Sequence, residues 1–145
     1  MVATGKRPRI CIVDGQGGGI GAALIRRLRE FYQETYEIIA LGTNAVATAQ
    51  MMKTGANRGA SGERAIARTV ATADVILGSI SIVLANAMMG EVTPQMAEVI
   101  ASAPALKILL PLTRAKVEIV GLIPEPLPHQ VEQAVARLKE VLKNV

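Results

Sequence analysis

The residues best equipped for chemistry stand together near the start of the chain, where Asp14 precedes Gly15-Gln16-Gly17-Gly18-Gly19-Ile20-Gly21. Two nucleotide-loop spellings overlap there. Gly17-x-Gly19-x-x-Ala22 fits GxGxxG/A, and Gly15-x-x-x-Gly19-Ile20-Gly21 fits GxxxGxG. Both make the same demand: glycine allows a sharp turn and a close approach of pyrophosphate to the main chain, and a following helix offers unpaired N–H groups to the anion. Ala22-Ala23 stands where a P-loop needs Lys-Ser/Thr, which disfavours nucleoside triphosphate hydrolysis.

A dinucleotide loop also asks for an acid about twenty residues on, to hold a ribose hydroxyl. Gly42-Thr43-Asn44 occupies that place. Thr43 and Asn44 can bond a ribose hydroxyl or tolerate a 2′-phosphate, so NADP and NAD both stay open. Asp14 is a further departure, because a carboxylate beside pyrophosphate repels it unless it faces its own turn, a sugar or a metal-bound water. The Gly-x-x-x-Gly-Ile-Gly spelling resembles the cofactor loop of short-chain dehydrogenases, yet the Tyr-x-x-x-Lys of that superfamily is missing. Tyr36 stands four residues after Tyr32, and Ala40 four after Tyr36.

A second constellation is the run Asn57-Arg58-Gly59-Ala60-Ser61-Gly62-Glu63. Its guanidinium, amide, hydroxyl and backbone N–H groups can grip a phosphate or carboxylate. Equally, it can be a surface connection in which Ser61 caps the next helix. Asn86 and Glu91 are polar exceptions beside an apolar segment, either structural or ligand-facing. His129 lies among prolines and is expected to be exposed. Without a cysteine or histidine cluster, no metal site is expected, and no pattern assigns a catalytic residue.

The elements that must position these groups follow from periodicity. Arg9 to Val13 is predicted as a buried strand, and Ile20, Leu24, Leu28 and Phe31 recur at helical spacing after the glycines. Glu37 to Leu41 is a second strand, Ala45 to Lys53 a helix, and 54–63 a loop. Ala65 to Val70 forms a short helix and Ala73 to Leu77 a third strand, closed by Gly78-Ser79. Ile80 to Met89 is expected as a buried helix or a subunit contact. Thr93-Pro94 starts another helix. Leu106 to Leu110 is a fourth strand and Val117 to Gly121 a fifth, antiparallel at the edge because 111–116 cannot hold a crossover helix. Past Pro124-Glu125-Pro126-Leu127-Pro128, a last amphipathic helix runs to Lys143.

This order predicts a small Rossmann-like three-layer α/β domain over 1–145, with a mostly parallel sheet of about five strands. Ligands of such sheets sit outside the carboxyl ends of the strands, where Asp14, Thr43, Asn44, Gly78, Ser79 and Thr113 converge. Composition agrees. A chain of 145 residues suits one core, and with 2% aromatic residues that core is aliphatic. So few rings argue against single-strand nucleic-acid binding. Lys6, Arg7 and Arg9 carry three of the positive charges; without them the net +4 falls to +1, too little for a basic groove. The lone Cys11 suggests a reducing, cytoplasmic setting, and no stretch has the length and apolarity of a bilayer span.

The segments Val13 to Gly21, Ile39 to Asn44, Thr54 to Glu63, Ala85 to Pro94 and Ile119 to Gly121 together resemble the bacterial family catalogued as domain of unknown function 3842. The resemblance covers nearly the whole chain and implies a compact, Rossmann-like, nucleotide-binding protein. The expected function is a sensor or cofactor module binding NADP or NAD as a homodimer or higher oligomer. The expected contacts are Asp14, Gly15 through Gly21, Thr43, Asn44, Asn57, Arg58 and Ser79. Two alternatives stand beside it. One is a small oxidoreductase or nucleotide-processing enzyme with Arg58 holding an anion and Glu63, Glu91 or Asp14 moving protons. The other is a structural subunit without ligand.

Overall fold

The computed structural model describes residues 6–143, so the ends of the expected 1–145 domain lie outside it. The described residues form β1 (Arg9–Asp14), α1 (Gly19–Tyr32), β2 (Glu37–Gly42), α2 (Ala45–Met52), β3 (Arg58–Ser61) and α3 (Glu63–Val70). They continue with β4 (Val75–Ser79), a 3-10 turn (Ile80–Val83), α4 (Pro94–Ser102), β5 (Leu106–Leu110) and α5 (Leu127–Leu142).

The strands make one sheet in the order β3-β2-β1-β4-β5, and every pairing is parallel. The central strand β1 shows why. Ile10 and Ile12 join a core with Leu24, Ile25 and Leu28 of α1 and Val131, Val135 and Leu138 of α5. Cys11 and Val13, pointing the other way, join Ile66 and Val70 of α3 and Met96, Ala97 and Ile100 of α4. Both faces are covered, so the strand is apolar throughout and needs helical crossovers. Cys11 is fully buried, and loss of hydration pushes its thiol up to about 12.

Three sequence expectations are corrected. Residues 58–61 are a strand, not part of a loop: β3 pairs with β2 from Ile39↔Arg58 to Gly42↔Ser61. An edge strand with exposed side chains needs no apolar pattern, only backbone partners. The antiparallel edge strand expected at 117–121 does not form. Six residues are indeed too few for a crossover, but the chain leaves the sheet after Pro111 instead of reversing, and parallel β5 becomes the edge. Ile80 to Met89 is not a helix. After the 3-10 turn, Asn86, Met88 and Met89 take positive φ of 68°, 56° and 57°, followed by Gly90 at 89°, which is incompatible with helical continuation.

Candidate functional site

Strand order reverses between β1 and β4, both of which neighbour each other while their crossovers run in opposite directions. The carboxyl ends at such a switch point splay apart and leave a crevice. Here it is a cavity of about 600 Å³, lined from the end of β1 through its loop into α1 by Asp14, Gln16 and Ile20, and at the end of β4 and in the 3-10 turn by Ser79 and Ser81. Residues 85–89 and 112–115, with Leu127, complete it. Arg114, at the rim after β5, is exposed and makes no ion pair among the described residues.

The glycine loop passes from β1 into α1 as the spacing predicts. Gln16 and Gly18 take φ of 49° and 75°, the Gly18 N–H donates to the Gly15 carbonyl at 2.9 Å, and Gly18 caps α1 with no side-chain cap. Asp14 braces the loop at both ends. Its Oδ1 accepts from the Gly15 N–H at 2.8 Å and its Oδ2 from the Gly21 N–H at 2.7 Å. Burial raises the Asp14 pKa above its ordinary value of 3.8, the N–H groups of Gly21, Gly15 and Ile20 oppose that rise, and the charge of Glu91 adds to it. Of the roles open to Asp14, the turn role is the one these bonds make.

The glycines divide into two sets. A Cβ on Gly21 would meet Met51 Sδ at 2.4 Å, and one on Gly18 would meet the Ala47 carbonyl at 2.7 Å, so packing demands glycine at both. Gly17 and Gly19 are different: neither has positive φ, and a Cβ on either would meet nothing within 4 Å. Their N–H groups donate to no acceptor among the described residues.

Thr43 and Asn44 do come to this edge of the sheet, but protein groups already hold them. Thr43 Oγ1 donates to Glu91 Oε1 at 2.6 Å, Asn44 Nδ2 donates to the same oxygen at 2.9 Å, and so does the Gln16 N–H at 2.8 Å. Partial burial alone would raise the Glu91 pKa; the bonds from Thr43, Gln16 and Asn44 outweigh it and hold it below the ordinary 4.5. Asn44 Oδ1 caps α2 through the Ala47 N–H. Ser79 is buried against the cavity, its Oγ accepting from the Ser81 N–H at 3.3 Å, while Ser81 Oγ donates to Thr113 Oγ1 at 2.7 Å.

Asn57 and Arg58 do not join this group. Asn57 directly precedes β3 and Arg58 opens it; Asn57 Oδ1 accepts from the Ile38 N–H and from Arg29, while Arg58 pairs with Glu37 at 3.0 Å toward the amino ends of the strands. Ser61 does not cap α3; Gly62 does, and Ser61 Oγ bonds Thr48 Oγ1 at 2.7 Å. Glu63 accepts from Thr93 Oγ1, and His129 is exposed beside Glu125. Sequence reasoning missed Met88 and Arg114. The strand-end rule would have found Arg114, four residues past the end of β5; Met88 carries no such signal.

The parallel order, the switch-point cavity and the glycine turn into α1 define a doubly wound α/β protein of Rossmann type. Residues 9–143 match the family described as Domain of unknown function (DUF3842), and the chain belongs to that family. No curated protein matches it. Among the described residues, no helix is long and apolar enough to cross a membrane, and no group of three His, Cys, Asp or Glu can hold a metal ion.

Proposed function

We propose that the protein binds a nucleotide, with a phosphate at the N–H groups of Gly17 and Gly19 and the remainder in the adjoining cavity, and that it serves as a sensor or cofactor module in the cytoplasm. The observation that carries this reading is that Gly17 and Gly19 are glycines the fold does not need. A bare main chain with free N–H groups at the start of a helix is what close approach of an anion requires. Arg114 adds a cation at the rim of the same cavity. NADP and NAD are the dinucleotides that the loop's spelling suggests, and the titration includes them beside smaller nucleotides.

Calorimetric titration with AMP, NAD, NADP and ATP tests the reading, paired with Gly19→Val. The variant is expected to keep its stability within about 1 kcal/mol, because the new side chain meets open space, and to lose at least about tenfold in affinity. Unchanged affinity would show that the loop is not the site, and no binding by any of the four at millimolar concentration would end the nucleotide reading. A second reading, assembly into a homo-oligomer, is favoured by the exposed apolar residues between Val117 and Ile123.

A further inference from the structure

Resting on that reading, we infer that the ligand is a mononucleotide, one base or nicotinamide-type ring on a phosphorylated ribose, and that Glu91 and Met88 close the site to dinucleotides. A dinucleotide lies across the switch-point crevice, with one half over the end of β2 and the other over β4 and its outer neighbour. In this protein the two halves of the crevice differ.

The β2 half is filled. The ribose contact of a dinucleotide site falls at the end of the second strand, and the surface between that end and the loop is covered: a Cβ on Gly15 would lie 2.6 Å from Met88 Sδ, 2.6 Å from Thr43 Oγ1 and 3.1 Å from Glu91 Oε1. The N–H and O–H donors at the end of β2 are already engaged. Thr43 Oγ1, Asn44 Nδ2 and the Gln16 N–H all donate to one oxygen of Glu91, and Asn44 Nδ2 also reaches the Gln16 carbonyl at 3.1 Å. The wall that brings Met88 and Glu91 here is built rather than draped. Within it the Asn86 N–H donates to the Val92 carbonyl at 2.7 Å, the Val92 N–H to the Ala87 carbonyl at 3.1 Å, and the Gly90 N–H to the Asn86 carbonyl at 3.1 Å. Three non-glycine residues in the left-handed region shape it. Such conformations persist only where the surroundings impose them.

The other half is open. The cavity over β1, β4 and β5 holds about 600 Å³, within the range of roughly 300–1,000 Å³ typical of small-molecule sites. Ser79, Thr113, Asn86 and Arg114 are among the residues that line it, with Gln16 and Ile20 on the side of the loop; the Ser79 and Thr113 hydroxyls accept bonds from the Ser81 and Ala115 groups and keep their own protons to donate. One phosphorylated nucleoside can use those groups without displacing the wall.

The test is a ranking of nicotinamide mononucleotide and AMP against NAD and NADP by calorimetry, on the wild type and on Glu91→Ala with Met88→Ala. The better mononucleotide is expected to bind the wild type at least about tenfold more tightly than either dinucleotide, and the double variant to narrow that gap. Glu91→Gln, whose amide oxygen can still accept from the same three donors, should retain the wild-type ranking. A dinucleotide binding the wild type as tightly as the mononucleotides overturns the inference while leaving nucleotide binding intact, even if the double variant fails to fold. So does a folded double variant whose ranking is unchanged. If no nucleotide binds, the underlying reading falls with it.

Discussion

Two carboxylates beside the glycine loop show how local partners override residue type. Asp14 and Glu91 both lose hydration, yet the pKa of Asp14 rises and that of Glu91 falls, because the bonds from Thr43, Gln16 and Asn44 outweigh burial only at Glu91. Arg58 makes the complementary point. Its guanidinium suits an anion, but it meets Glu37, which also accepts from Arg9 Nε at 2.7 Å. Burial alone would raise the Glu37 pKa, and the bonds and charges of Arg9 and Arg58 more than offset it, lowering the value below 4.5. Glu37 is therefore more acidic folded than unfolded. Its pairing stabilises the fold fully above its ordinary pKa, and that contribution fades as pH falls through the lower folded value. Urea midpoints across this range should show the advantage of wild type over Glu37→Gln shrinking toward acid. An advantage independent of pH would remove the ion pairs as its source.

Elements were legible where burial is two-sided and obscure where it is not. β1, β2 and β4 are apolar runs because helices cover both faces, and α1, α4 and α5 show their starts or stripes in sequence. β3 has the composition of a loop because most of its residues are exposed at the edge of the sheet; what makes it a strand is register with β2. Asn57 anchors that register. Its backbone N–H donates to the Ile38 carbonyl at 2.8 Å, and its Oδ1 accepts from the Ile38 N–H at 2.8 Å and from Arg29. Replacing Asn57 by Ala should cost about 1–3 kcal/mol in denaturant unfolding, the usual penalty for a half-buried N–H left without its acceptor. Asn57→Asp, which keeps an acceptor facing Arg29, should recover most of it. Nucleotide affinity should not change in either variant, since the residue lies away from the cavity; a loss of affinity in a folded Asn57→Ala protein would return it to the site.

At the scale of the whole molecule, the exposed run past β5 stands out. Val120 is 94% exposed and Ile123 78%, with Val117, Ile119 and Leu122 also uncovered within the same seven residues. Exposed large apolar side chains gathered in one short segment point to a contact site. Sedimentation velocity should find the wild type as a dimer or larger species and Val120→Glu with Ile123→Glu as a monomer. A wild type that is monomeric at all concentrations rejects the assembly reading.

Periodicity and glycine spacing by themselves determined the α/β alternation, the parallel central strands and the placing of the glycine loop between β1 and α1, because these follow from local backbone freedom and two-sided burial. Tertiary structure decided the rest: that 58–61 pairs at an edge, that 117–121 stays off the sheet, and that Glu91, distant in sequence, holds Thr43 and Asn44. Even the difference between Gly17 and Gly21 is tertiary, since it depends on whether Met51 or empty space lies above the missing Cβ. Contacts between segments far apart in the chain leave no period or spacing in the sequence, so only the folded arrangement discloses them.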